Sequence, residues 1–487
     1  MKKRTLSIIL SLGMVMGLLQ GCGGDAATES TPAAEPAEEA EAEAEPETDT
    51  AEEPEAETED AGQEEAVAGG TFLDEIEPDA TLTYWEMQWA SGEYQNYVQG
   101  MVDQFNAENE YGITVNLEMI PWDGYYETFL TAVTSGTAPD VYTGASTAPT
   151  QYAEMGESLD LDPIIDAWKA ENNPILDDIA EQYWGFFKYN GVTYGLPYGV
   201  DPKQITYRTD FFEEAGIDAL PTNYNEFLEV CAKLKEKFPD KIPCLLTAGG
   251  NDPSSNHMAE VLNGLNNAGM FDANKNATMV TDAQRENYEF VKTMMDEGYM
   301  SEGSGGYADA DVEKIWLSGG ACILFGRSGN IMLNTDIEEN VAVLPPFAGP
   351  SASEGKYCAN VNGVAGFSQT EYPNASRYFL KWWMENNIQI LAGTGNGNLP
   401  LRESYYTHEA YKEHAWYQQT LDNCIKTGIT QAYPMDSMFP EFATMEGEKV
   451  LAVALAEVIE GTDVETALQD SNDAIQTVFD DAREAAE

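Results

Sequence analysis

Aromatic rings and short polar side chains stand together at several points where the chain reads as leaving a strand. Trp89 and Ser91 follow the apolar run at 81–85, and Gly144, Ala145, Ser146 and Thr147 follow another that opens at Pro139. Asp201 lies in a stretch rich in Pro and Gly. Gly249 to Asp252, including Asn251, follow the run at 242–247. Arg327, Ser328 and Asn330 follow the run at 321–325. Open α/β sheets bind ligands beyond the carboxyl ends of their strands, so these segments are candidates for one shared cleft. Neutral polar groups beside rings suit a sugar, whose hydroxyls take hydrogen bonds while its C–H faces lie on an aromatic plane. For any single ring, core packing is the commoner role.

Catalytic and cofactor signatures are missing. No glycine-rich turn ends in Lys-Ser or Lys-Thr, and GxSxG does not occur. Gly393-Thr394-Gly395-Asn396-Gly397 lacks the strand-then-helix setting of a dinucleotide site, so no cofactor is expected. With only His257, His408 and His414 in the chain, a His-rich metal site is close to excluded. Asp272-Ala273-Asn274-Lys275-Asn276 looks like a calcium loop, but Ala277 stands where Gly is required and Ala283 where the bidentate Glu belongs. A polar turn is the better reading, and no metal is expected. Paired carboxylates for glycoside hydrolysis carry no information in a chain with this many acids.

The elements that must position these residues are legible from periodicity. Residues 81–85 read as a strand rich in β-branched and aromatic side chains. Tyr94, Tyr97, Val98, Met101, Val102 and Phe105 fall at helical spacing, and Ile113, Val115, Leu117 and Met119 alternate as a strand. A helix carrying Tyr125, Tyr126, Phe129, Leu130 and Val133 precedes a third strand at 139–142. This alternation predicts a parallel sheet with helical crossovers. Later come a helix over 222–237, a strand over 242–247, a helix opened by the capping box at Thr281 and running through Met295, and a strand over 321–325. The C-terminus reads as one helix over about 446–459 and a second starting with capping-box spacing at Thr462. The fold class expected is therefore α/β in two halves, with a helical tail.

Of 487 residues, 24 are Lys or Arg and 85 are Asp or Glu, a net charge of −61. That excess leaves no basic face for nucleic acid. Residues 1–24 carry Lys2, Lys3 and Arg4 ahead of an apolar stretch, which is the pattern of an export signal. Leu19-Gln20-Gly21-Cys22 resembles the lipobox of bacterial lipoproteins, which implies a lipid on Cys22. Residues 25–70 hold 18 acids, no bases and almost nothing that could be buried, so they read as a disordered tether. From residue 71 onward 21 bases face 67 acids, so the folded part is itself acidic. Five further cysteines, Cys231, Cys244, Cys322, Cys358 and Cys424, have no CxxC spacing and form a poor disulfide or zinc framework.

The run Tyr194-Gly195-Leu196-Pro197-Tyr198-Gly199-Val200-Asp201, continuing through Ile205-Thr206-Tyr207-Arg208-Thr209-Asp210-Phe211-Phe212, resembles family 1 bacterial extracellular solute-binding proteins, the maltose-binding-like receptors of sugar ABC importers. Gly136-Thr137-Ala138-Pro139-Asp140-Val141, Val343-Leu344-Pro345-Pro346, Asn398-Leu399-Pro400-Leu401-Arg402 and Gly461-Thr462-Asp463-Val464-Glu465 support it in order. The resemblance implies a two-lobed, type II periplasmic-binding-protein-like fold, each lobe an α/β sheet sandwiched by helices. It places 71–204 and 345–398 in an N-lobe, and 205–344 and the helical 399–487 in a C-lobe. It implies a non-catalytic, monomeric receptor that captures a carbohydrate between the lobes and hands it to permease subunits served by a separate ATPase. The lipid on Cys22 would hold it at the outer face of the membrane. Asp201, six before Tyr207, takes the role of a sugar-hydroxyl acceptor, and Ser146 and Thr147 match a ligand-contacting loop. Arg327-Ser328-Gly329-Asn330 replaces a segment that often holds a stacking Trp, so the stacking partner falls to Trp89 or Phe439. Other readings are a peptide receptor, a surface glycosidase and a glycan-binding adhesin or sensor.

Overall fold

The computed structural model describes residues 71–89, 94–122, 124–249, 255–327, 335–393, 398–412, 414–435 and 437–486. Cys22, Ser91, Asn251, Asp252, Ser328 and Asn330 lie outside the described residues, as do the signal and tether segments and the glycine-rich residues 394–397.

The first strands are β1 (Thr81–Met87), β2 (Thr114–Ile120) and β3 (Val141–Ala145), followed by a small hairpin of β4 (Lys188–Tyr189) and β5 (Val192–Thr193). Next come β6 (Gly195–Lys203), β7 (Ile205–Arg208), β8 (Ile242–Leu245) and β9 (Ala321–Phe325). The last are β10 (Val341–Val343), β11 (Cys358–Gly366), β12 (Leu399–Pro400) and β13 (Ile429–Thr430). One sheet runs β12-β6-β11-β3-β1-β2, with β13 also paired to β11. The other runs β10-β7-β9-β8. β1 lies parallel to both β2 and β3, as the crossover pattern predicts. β11 runs antiparallel to β3 and β6. Only Gln204 separates β6 in the first sheet from β7 in the second, so the chain passes between sheets in a single residue.

The helices follow the apolar spacing. Tyr94–Glu108 buries Tyr94, Val98, Met101, Val102 and Phe105, and Phe105 packs edge-on against Phe379 at 4.9 Å. Tyr224–Lys237 is capped by Asn223, whose side chain accepts the Glu226 N–H. Thr281 accepts the Gln284 N–H at 3.4 Å to open Asp282–Asp296.

Two C-terminal expectations need correction. The single helix expected over 446–459 is two, Pro440–Gly447 and Val450–Ile459, because Lys449 takes a left-handed conformation at φ 57° between them. The last helix, Val464–Ala486, is capped by Asp463 and not by Thr462: the Asp463 carboxylate accepts the Thr466 N–H at 3.3 Å.

The strands β6 and β11 carry no strand signal in sequence. Pro197 and Pro202 interrupt β6, and β11 shifts register between Asn362 and Gly363. The glycines have a steric reason: a Cβ on Gly363 would lie 2.3 Å from the Phe187 ring, and one on Gly195 would lie 2.4 Å from it. The ring lies against the bare backbone of two neighbouring strands, and only glycine lets it.

Candidate ligand-binding site

Trp89 lies just past β1, half-buried, with its ring edge-on to Trp122 at 4.7 Å and to Tyr198 of β6 at 6.3 Å. Trp122 in turn meets Tyr125 at 5.1 Å. Three half-buried rings from the segments after β1 and β2 thus form one connected surface. The helix Tyr125–Ser135 buries Phe129 and Val133, and Tyr125, one turn before Phe129 on the same face, packs half-buried against that cluster.

Polar groups gather beside it. Ser146 is fully buried and accepts the Gln431 amide at 3.1 Å. Gln431 also accepts the Val361 N–H at 3.2 Å, and Asn360, next along β11, pairs with Asp201 of β6. Thr147 donates to Glu446 at 2.9 Å, and Tyr125 donates to the same carboxylate oxygen at 3.3 Å. Glu446 belongs to the helix Pro440–Gly447, so the C-terminal segment reaches the loop after β3.

Charges complete the arrangement. Lys203, nearly fully buried, is ion-paired with Asp201. Asn360 donates to Glu260 at 3.2 Å. Glu260 is buried on the helix Asn256–Leu265, and desolvation pushes it up to about 7, although Lys203 and Asn360 pull it down. Glu446 is also raised by burial, against the hydrogen bonds from Thr147 and Tyr125. Arg327, at the end of β9, is ion-paired with Asp309, and its N–H reaches the Gln204 carbonyl at 3.2 Å. His257 is held well below its ordinary value by burial first and then by the cations Lys203 and Arg327, so its imidazole is neutral.

The structure therefore brings Trp89, Ser146, Thr147, Asp201 and Arg327 into one connected region. Phe439 sits elsewhere, buried between Phe271 at 5.1 Å, Phe442 at 5.8 Å and Phe479 at 6.1 Å. Trp122, Tyr125, Lys203, His257, Glu260, Asn360 and Glu446 were not anticipated. Only Trp122 gave a signal, a Trp set between Pro121 and Asp123 at a strand end; Glu260 sits on a helix with no distinguishing spacing. No cluster among the described residues is suited to hold a metal ion. Asp272 uses one carboxylate oxygen on the N–H groups of Asn274 at 2.8 Å and Asn276 at 3.0 Å, which is a polar turn.

The family profile described as bacterial extracellular solute-binding protein matches residues 89–390. The chain belongs to that family. A Brucella abortus (strain 2308) protein with the general description of a binding protein is 25% identical to this solute-binding protein over 333 residues, 64% of this chain and 76% of the relative. An Arthrobacter chlorophenolicus A6 sugar transporter solved with bound laminaribiose aligns at a TM-score of 0.74 and 21% identity, covering 82% of this chain and 99% of that one. Maltose-bound MalE3 of T. maritima aligns at 0.69 and 16%, covering 82% and 100%. The fold is thus the two-lobed, type II periplasmic-binding-protein-like α/β fold. The family is extracellular, and no helix among the described residues is long and apolar enough to cross a membrane.

Proposed function

We propose that this solute-binding protein is the carbohydrate receptor of an ABC importer, tethered by a lipid on Cys22 and acting as a monomer without catalysis. The observation that carries the reading is the connected ring surface of Trp89, Trp122 and Tyr125 beside the hydroxyls of Ser146 and Thr147 and the carboxylates of Asp201 and Glu446. Rings offer a face to sugar C–H groups, and carboxylates and hydroxyls accept or donate to its O–H groups. The names of its relatives support the ligand class: one is an erythritol/L-threitol-binding protein, another a diacetylchitobiose binding protein. The ligand is an oligosaccharide held between an N-lobe of 71–204 and 345–398 and a C-lobe of 205–344 and 399–487. The single-residue passage at Gln204 acts as a hinge for closure, and permease subunits with a separate ATPase receive the ligand.

Calorimetry of the full-length protein against laminaribiose, maltose, diacetylchitobiose, erythritol and ribitol tests this. Binding of at least one glycan without change to its chain length is expected. Release of shorter sugars, or no binding across the panel, would overturn it. Asp201→Ala is expected to weaken the bound glycan about tenfold, roughly 1.4 kcal/mol, by removing an acceptor of a buried hydroxyl. Unchanged affinity removes Asp201 from the site.

A further inference from the structure

Glu86 of β1 is fully buried, three residues before Trp89. Its carboxylate accepts the phenol protons of Tyr84, on the same strand, and of Tyr94, the first residue of the helix Tyr94–Glu108. The adjacent Met87 N–H donates to Thr143 Oγ1 at 3.0 Å, tying the end of β1 to β3. The indole N–H of Trp89 is buried and directed at Glu86 without a well-formed hydrogen bond. A buried carboxylate is unfavourable beside an apolar residue of the same volume, so what it adds here is direction. It draws three polar groups, on either side of residues 90–93, toward a single point.

We propose that Glu86 is the positioning residue of the binding site: by accepting from Tyr84 and Tyr94 it fixes the end of β1 and presents the Trp89 ring to the ligand. This rests on the assignment of Trp89 as a ligand-facing ring. The ionisable groups that face Glu86 are Tyr84 on β1, Tyr94 on the helix after it and Tyr198 on β6, all held neutral by burial. Thr143 of β3 and Trp89 are the neutral donors beside it, and Trp383 of the helix Pro373–Asn386 lies beside Tyr84. Burial raises Glu86 to about 7, against the hydrogen bonds from Tyr84 and Tyr94. Below that pH a proton occupies one oxygen, one phenol loses its acceptor and the pull on the indole N–H weakens.

The test needs no ligand, so its failure is distinct from failure of the carbohydrate reading. Tryptophan emission of the full-length protein is followed from about pH 5 to pH 9, and the Trp89 contribution is taken as the difference from Trp89→Phe. A transition near pH 7 is expected, absent in Glu86→Gln. In Tyr94→Phe, which keeps the carboxylate but removes one donor to it, the transition is expected at higher pH. Trp89 emission that stays flat with pH, a transition that survives in Glu86→Gln, or a midpoint unmoved in Tyr94→Phe would each overturn the proposal. If Glu86→Gln does not fold, the Tyr94→Phe midpoint decides.

Discussion

At the residue scale, two carboxyls of the site region make stability depend on pH in an unusual direction. Glu86 and Glu260 are both raised above the ordinary carboxyl range to about 7, with desolvation as the first cause. A group with a raised native pKa holds more protons folded than unfolded. Stability is therefore highest below the unfolded value and falls as pH rises from about 4.5 toward 7. Each group contributes on the order of 3 kcal/mol at full weight. Thermal unfolding followed across that range is expected to show Tm declining toward neutral pH and levelling above about 7. Glu260→Gln is expected to flatten the decline, because its amide keeps a carbonyl acceptor for Asn360 and carries no charge to desolvate. A Tm that rises with pH over this window would show that the hydrogen bonds outweigh the burial.

At the element scale, backbone clearance decides what side chain β11 tolerates. Gly363→Ala would place a methyl 2.3 Å from the Phe187 ring, in a core where Phe187 is fully buried and cannot step aside. Overpacking of this kind costs about 1–3 kcal/mol, which urea denaturation would read as a lower midpoint at unchanged slope. The same glycines explain what the sequence concealed. Alternation along 113–119 and helical spacing from Tyr94 to Phe105 announce their elements because one face is solvated and the other packed. β6 and β11 lie inside the sheet with both faces covered, so they show no alternation and instead show the Pro and Gly of an apparent loop. The site divides likewise. Trp89, Ser146 and Thr147 sit at ends of legible strands, whereas Glu260 and Glu446 come from helices whose place beside β11 and the segment after β3 depends on contacts 100 and 299 residues apart in sequence.

At the scale of the whole molecule, the acidic surplus and the ligand separate. Lys203 and Arg327 are each ion-paired within the site, to Asp201 and Asp309, and the remaining carboxyls accept from neutral donors. A neutral glycan gains nothing from long-range attraction to 67 acids against 21 bases. Its affinity is expected to change by less than about twofold between roughly 0.05 and 0.5 M salt, since exposed charges are screened over that range. A steep loss with salt in calorimetry would point to a cationic solute. The proposed tether and anchor have a separate test. Cys22→Ala is expected to release the protein from the membrane fraction, and mass spectrometry of the unsubstituted chain to find a diacylglycerol on Cys22. The five cysteines of the folded part are all buried and unpaired, and burial leads the rise of each thiol above its ordinary value. Among the described residues the native state therefore gives maleimides and similar reagents no exposed thiolate to attack. Each label that attaches to one of these five records an opening event, and its site tells which part of the fold came apart first. The molecule carries its own stopwatch for unfolding, with no probe engineered in.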